Sequence, residues 1–479
     1  MIRIIAKKEL RDILRDGRFR WTSGIVGILL LASLLAGWHY TVSTGTDHNL
    51  AQETMREQWL NQGEKNPHSA SHLGIYAFRP IPELALVDPG INNYTGTSVW
   101  LEAHNRNEFT YRPVRDSVPV ARFGELTASV VMQVLIPLII VFLCFQSISG
   151  ERENGTLRQI FATGVRSYHF LAGKVIGTAG AILAVLIPAT ILGTLALVFF
   201  TSDGGVQFTD IGIRSVIMGS GYLAYFGVFL GISLGVSAVA RSSGMSLLIL
   251  LAFWMFNCLI VPRVVSDLVR SVYPTPSAQR FQQIIADDMS EGIDGHNPED
   301  KRMDELRERL FTEYGVDSIE NLPVNFEGVA LQESEDYGNE VYDRRYGELW
   351  SQYESQNRLR NLTGMIAPFM ALRSVSMGAS GTDWYHHKHF AEAAESWRRM
   401  MVREMNEALI YESASQNYGD NLRADELWAS IPDFDYRSPK TSQIFRVVMF
   451  PLILLGIWLV ASGAFLFLLS RRLIHQPKL

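Results

Sequence analysis

Cysteine is almost missing from this chain: 479 residues contain two, Cys144 and Cys258. Both fall inside long apolar runs, so no disulfide framework is expected and buried packing is their reading. A phosphate-cradling loop is missing as well. Its nearest approach, Gly173-Lys174, lacks the upstream glycine and continues with Val175 rather than Ser or Thr, so no nucleotide is expected to bind this chain. There is no His-Glu-x-x-His pattern and no nucleophile–base pair, which leaves a membrane protease or transferase without sequence support. The first apolar stretch is too long, and lacks the small-residue pattern, for a cleavable signal peptide to be expected.

What the chain has instead is apolar length. It is 47% hydrophobic with a mean hydropathy just above zero, intermediate between a purely membranous chain and a soluble one. Runs long enough to cross a bilayer cover residues 21–40, 126–149, 170–200, 213–239, 244–262 and 444–469. The expected fold class is therefore an α-helical polytopic membrane protein of six spans with two large hydrophilic insertions, 41–125 and 263–443. Pro137 and Pro188 predict kinks in the second and third spans. Gly227, Gly231 and Gly235 repeat every four residues, a device for close helix packing. Gln133 and Asn257 are polar groups within spans, expected to hydrogen-bond between helices.

The flanking segments have their own patterns. Residues 1–20 are amphipathic, with Ile2, Ile5, Leu10, Ile13 and Leu14 opposed by Lys7, Lys8, Arg11, Arg15 and Arg18, which suits a helix lying in the headgroup region. The insertion 41–125 holds Pro67, Pro80, Pro82, Pro89, Pro113 and Pro119, so a loop-rich or short-strand module is expected from Thr41 onward. In the second insertion, residues 298–314, 329–362 and 384–411 read as amphipathic helices that pack on one another in water.

Charge sets the orientation. Lys and Arg outnumber Asp and Glu by 15 to 5 over residues 1–20, 150–174, Arg241 and the tail 470–479. The two insertions are acidic, 7 to 10 and 19 to 32. The positive-inside tendency places both termini and the 150–169 loop in the cytoplasm, and both insertions outside.

That loop reads Gly150-Glu151-Arg152-Glu153-Asn154-Gly155-Thr156-Leu157-Arg158-Gln159-Ile160-Phe161. Its charge is compact and mixed, and Gly155-Thr156 offers a break before a short amphipathic turn carrying Leu157, Ile160 and Phe161. A solvated connector is the plain alternative. The pattern Glu151-Arg152-Glu153-x-Gly155-Thr156-Leu157, between the second and third of six spans and after a basic N-terminal helix, closely resembles the coupling loop of ABC-2 type transporter permeases. The resemblance covers about half of the chain. One departure is Gly164-Val165, where many members carry a proline.

The resemblance implies the membrane subunit of a bacterial ABC exporter in the cell inner membrane. It implies a separate cytoplasmic ATPase subunit that binds ATP and Mg and grips Glu151, Arg152, Glu153, Gly155, Thr156, Leu157, Ile160 and Phe161. It also implies a second permease copy, in a homodimer contact through the first and fifth spans that would place Trp254 and Asn257 near the shared axis. Members commonly export amphipathic cargo, and the scarcity of charge within the spans argues against a small bare ion. The alternative keeps the ATPase but has the outer domains transmit motion to an envelope partner, without transport. No nucleic-acid partner and no cofactor bound by the chain itself are expected. His386, His387 and His389, with Glu392 and Glu395, form the one local cluster of ligand-like density. Asp383 ahead of them makes a helix start the favoured reading over a metal site.

Overall fold

A computed structural model describes residues 1–112, 126–201, 208–297, 299–413 and 415–472. Pro113 and Pro119, most of the short loop before the fourth span, Pro298 and the residues of the tail beyond 472 lie outside these. Six helices are long and apolar enough to cross a membrane: Gly17–Leu60, Ala128–Glu153, Ser167–Val198, Thr209–Val239, Ser243–Val272 and Thr441–Leu469. The chain is an α-helical membrane protein. One large apolar core joins these spans, and smaller separate clusters hold the insertions together.

The first span departs from expectation. It runs unbroken for 44 residues to Leu60, which at 1.5 Å per residue is about 66 Å, against about 30 Å of hydrocarbon. The prolines that predicted irregular chain from Thr41 begin only at Pro67, and residues 41–60 contain none. The far end of this rod is anchored by Trp59, fully buried against Trp428 with ring centroids 6.3 Å apart, its Nε1 donating to the Trp428 carbonyl at 2.9 Å. Beyond it the first insertion is loop-rich. Its strands β1 (Ile75–Phe78) and β2 (Ser98–Leu101) pair antiparallel, Ile75 opposite Leu101 and Phe78 opposite Ser98.

The second insertion forms helices over Ala278–Met289, Lys301–Tyr314, Phe326–Leu362 and Trp384–Tyr411. One further helix of this insertion was not expected from the sequence. The helix Pro368–Ser380 is buried along its length between the fourth and sixth spans. Small residues make the fit: a methyl on Gly221 would meet Val375 at 2.9 Å, and one on Gly364 would meet Leu454 at 3.0 Å. Trp458 donates to the Gly364 carbonyl at 2.9 Å and Arg214 to the Ala379 carbonyl at 2.8 Å.

Proline acts differently in two spans. Ahead of Pro137 the second span widens into a π-helical turn, Val131–Leu135, whereas the third span continues through Pro188 without interruption. A second π-turn, Phe256–Ile260, precedes Pro262 in the fifth span. Proline cannot donate to the ladder and crowds the preceding turn, and a wider turn relieves both problems. The groups set free are matched across the bundle. Tyr225 donates to the Gln133 carbonyl at 3.0 Å, Gln133 donates to Tyr222 at 3.1 Å, and Asn257 donates to Tyr225 at 3.3 Å and accepts from the Phe369 amide at 3.3 Å. Asn257 is thus enclosed by its own chain rather than presented outward, and Trp254 is tied to the Val134 carbonyl at 2.9 Å. The Gly227/Gly231/Gly235 face lies on the sixth span, where a methyl would meet Leu459 at 2.7 Å and Ser462 at 3.1 Å at the first two positions.

Candidate functional site

The segment between the second and third spans is built on a buried ion pair. The amphipathic helix Ile2–Arg15 lies along the start of the third span, where Gly173 and Gly177 permit close approach: a methyl on Gly177 would meet Glu9 Cβ at 2.6 Å and the Ala6 carbonyl at 2.9 Å. Glu9 and Lys174, both buried, meet there at 2.6 Å, and the second carboxylate oxygen of Glu9 accepts from Ser147 at 2.8 Å. Glu151 joins this node from the side, 3.7 Å from Lys174 and 3.5 Å from Lys8. One ammonium is thus shared by two carboxylates, with a second lysine at the rim.

The next two charges are tied to neighbouring spans, Arg152 half-buried and Glu153 exposed. Arg152 donates to the carbonyls of Ala238 and Ala240, the end of the fourth span. Glu153 accepts from the amide and hydroxyl of Ser243 at 2.9 and 2.6 Å, placing a carboxylate at the N-terminus of the fifth span, where the helix dipole favours it. Gly155 adopts φ 72°, the left-handed conformation that glycine accepts most readily, and caps the helix Thr156–Ala162. Thr156 hydrogen-bonds back to Glu151. Leu157 is buried, and Ile160 and Phe161 are half-buried on the bundle core, Phe161 lying edge-on to Phe170 at 5.7 Å. Gly164 is also left-handed, at φ 82°, which proline cannot adopt.

Of the eight residues singled out in this loop, the structure brings Glu151, Arg152 and Glu153 into contact with four other helical segments and seats Leu157, Ile160 and Phe161 on the core. What faces outward is Glu153, Asn154, Gly155, Arg158, Gln159, Ala162, Thr163 and Gly164. The intrachain partners Lys174 and Ser243 are distant along the chain, so the sequence pattern alone does not show these contacts.

His386, His387 and His389 do not converge. Asp383 caps the helix Trp384–Tyr411, accepting from the His386 amide at 3.1 Å and from its ring at 2.6 Å. Burial opposes ionisation of Asp383, but the His386 contacts prevail and hold its carboxyl below the usual range. His387 faces Arg79 at 3.4 Å; burial, then Arg79 and Arg112, push its ring down to about 3, so it stays neutral. His389 pairs with Tyr436 at 3.0 Å. Each ring has its own partner, as the helix-start reading expects.

Four other histidines do converge. His68, His72, His104 and His296 each present a ring nitrogen, all within 4.8 Å of one another. His68 and His72 stand one turn apart on the short helix Pro67–Ser71 and its C-cap, with Asn66 accepting from the His68 amide at 2.9 Å. His104 follows β2, and His296 sits on the turn between Ala278–Met289 and Lys301–Tyr314. His68 is fully buried, His104 is half-buried, and His72 and His296 are exposed. None of these four was singled out from the sequence. The His68-x-x-x-His72 spacing was the available sign, but His104 and His296 are joined to it only by the fold.

Behind this group lies a polar core. Arg398 forms a bidentate pair with Glu395 at 2.9 and 3.0 Å and reaches Glu335 at 3.2 Å and Asn339 at 2.7 Å. Burial pushes the Glu335 carboxyl up, but the His104 ring and Arg398 outweigh it and hold it at about 2.

Residues 278–437 match a family described as a domain of unknown function (DUF3526). The match takes in His296, Glu335 and Arg398 and ends before the sixth span. No curated protein matches the chain.

Proposed function

We propose that this chain is the membrane-spanning subunit of an ABC-2 type transporter, moved by a separate cytoplasmic ATPase subunit that binds ATP and Mg. The observation that carries the reading is the bracing of the segment 149–162. Its charges tie it to the N-terminal helix, the third span, the end of the fourth and the start of the fifth, so a push on its exposed face is delivered to several helices at once. That face, centred on Asn154, Arg158 and Gln159, is where the ATPase docks. Glu151 and Arg152 transmit the push, and Glu153, exposed beside Asn154, both reaches the fifth span and lies on the docking face. In this reading both termini are cytoplasmic, the membrane is the bacterial inner membrane, and two copies pair.

A cavity of about 550 Å³ favours an amphipathic cargo. Its walls come from the first four spans and the loop ahead of the second, including Leu30, Met132, Ile187, Met218 and Phe226, with Thr190 and Tyr222 as polar points. A predominantly apolar lining with few polar groups suits a molecule with an acyl or other apolar portion.

A second reading, transmission of motion to an envelope partner without transport, is favoured by the unbroken first span. A continuous helix from Gly17 to a buried Trp59 joins the membrane to the outer insertions as a rod. Purification from native membranes tests both. A P-loop ATPase should accompany the wild-type chain and be lost from Arg158→Glu. ATPase activity raised by added lipid or amphipathic substrate supports export, whereas stimulation only by an outer protein supports transmission. Absence of any ATPase partner overturns both.

A further inference from the structure

We propose that His68, His72, His104 and His296 bind one divalent transition-metal ion of the zinc class, which staples the two outer insertions to each other. The inference does not depend on the transporter reading.

The hydrogen-bond partners of the rings fix where their Nδ1 protons go. His68 Nδ1 lies 2.8 Å from Asn406 Oδ1, an oxygen that can only accept, so this nitrogen carries the proton. Asn406 is itself oriented by donating to Gln332 at 3.1 Å. His104 Nδ1 lies 2.7 Å from the Glu335 carboxylate and carries its proton for the same reason. With Nδ1 committed in this way, each ring has its Nε2 left to offer, and these two nitrogens face each other at 3.1 Å. His296 Nε2 comes within 2.8 Å of the same His104 nitrogen. Ring nitrogens converging at this distance need a proton or a metal ion among them. Four nitrogens around zinc at about 2.0–2.1 Å would stand roughly 3.3 Å apart, so a small opening of the cluster admits the ion.

The surroundings have the form of a metal site's outer shell. Metal-bound histidines typically donate their second N–H to a carboxylate or carbonyl, which fixes the ring and raises its basicity. His68 and His104 both do so, and Glu335 adds a negative charge behind a ring of neutral ligands. His104 is held further: its amide donates to Glu335 at 2.6 Å, and its carbonyl accepts from Tyr342 at 3.0 Å. Its backbone sits at φ 63°, a left-handed strain unusual for a residue other than glycine and often kept for a functional purpose. Two ligands anchored inside and two exposed ones give the ion a route from solvent. All-imidazole ligation selects zinc, copper or nickel over calcium or magnesium, which require oxygen.

The proposal predicts one equivalent of Zn²⁺ per chain for the full-length protein, purified without a histidine tag, by calorimetry and elemental analysis. Co²⁺ in place of zinc should give the visible absorption of a nitrogen-ligated site. His72→Gln and His296→Gln, at exposed positions, should each weaken binding by about tenfold or more and leave the metal-free melting temperature unchanged. The pair together should abolish binding, and Glu335→Gln should weaken it by about 10- to 100-fold. His39→Ala, on the first span, should change nothing. Binding that survives in the His72→Gln/His296→Gln double variant, no uptake by the wild type, or equal affinity for Mg²⁺ would each overturn it.

Discussion

Two regions of this molecule bury ionised groups, and they do so in different ways. At one end of the bundle a single ammonium, Lys174, is shared between Glu9 and Glu151, and the pairing holds a separate helix against a span. In the module formed by the insertions Arg398 is surrounded by Glu335, Glu395, Asn339 and the Glu102 carbonyl, which engage all three guanidinium nitrogens in a fixed plane. An ammonium is a compact point charge that can swing between partners, whereas a guanidinium is a rigid fork that fixes them. The first arrangement suits a joint that must move, and the second suits a frame that must not.

The sharpest way to break the comparison is to remove Arg398. Arg398→Leu takes the shared cation from two buried carboxylates, leaving Glu335 to His104 and Glu395 to Arg399, so a loss of about 3–5 kcal/mol is expected in denaturant unfolding of the detergent-solubilised chain. An unchanged midpoint would show that the frame is not held by this group. Lys174→Met strands Glu9 alone at a joint with freedom to relax, so its cost should be smaller, about 3 kcal/mol. It should appear as faster proteolytic release of the N-terminal helix. Adding Glu9→Leu should recover most of the loss, and failure to recover would mean that the two residues are not coupled.

A pH titration sharpens the contrast between the regions. His387 is neutral when folded, with its ring near 3 against about 6.5 unfolded. Between those values the unfolded chain binds the additional proton. Stability is therefore intact above about pH 6.5 and falls as the pH drops toward 3, by up to about 1.4 kcal/mol per unit. His387→Phe should flatten that slope in an unfolding series from pH 7 to 4, and a slope equal to the wild type's would remove His387 from the account. The smallest structural effect belongs to Arg158→Glu on the exposed loop face. It should leave the melting temperature where it is, and its expected effect is confined to the proposed ATPase contact.

Much of the local structure was legible in the sequence, for reasons visible in particular residues. Asp383 was readable as a helix cap because a cap needs only its own next few residues. The break at Gly155 was readable because a left-handed residue before an amphipathic run is a local matter. The extent of the first span was not, because proline density averaged over residues 41–125 hid twenty proline-free positions. The helix Pro368–Ser380 was not, because a short stretch of small and apolar residues does not announce which helices will receive it. The partners of Glu151, Arg152 and Glu153 were hidden for the same reason, since Lys174, Ala240 and Ser243 lie 23 to 90 residues away along the chain.

By itself, then, the sequence determined where apolar length makes membrane-crossing helices and where charge, proline and glycine interrupt them, because each depends on neighbours within a few residues. Only the tertiary structure decided which charges face each other and which histidines meet. His68, His104 and His296 are brought together by a hairpin strand, a helix start and an interhelical turn, and no spacing along the chain encodes that meeting.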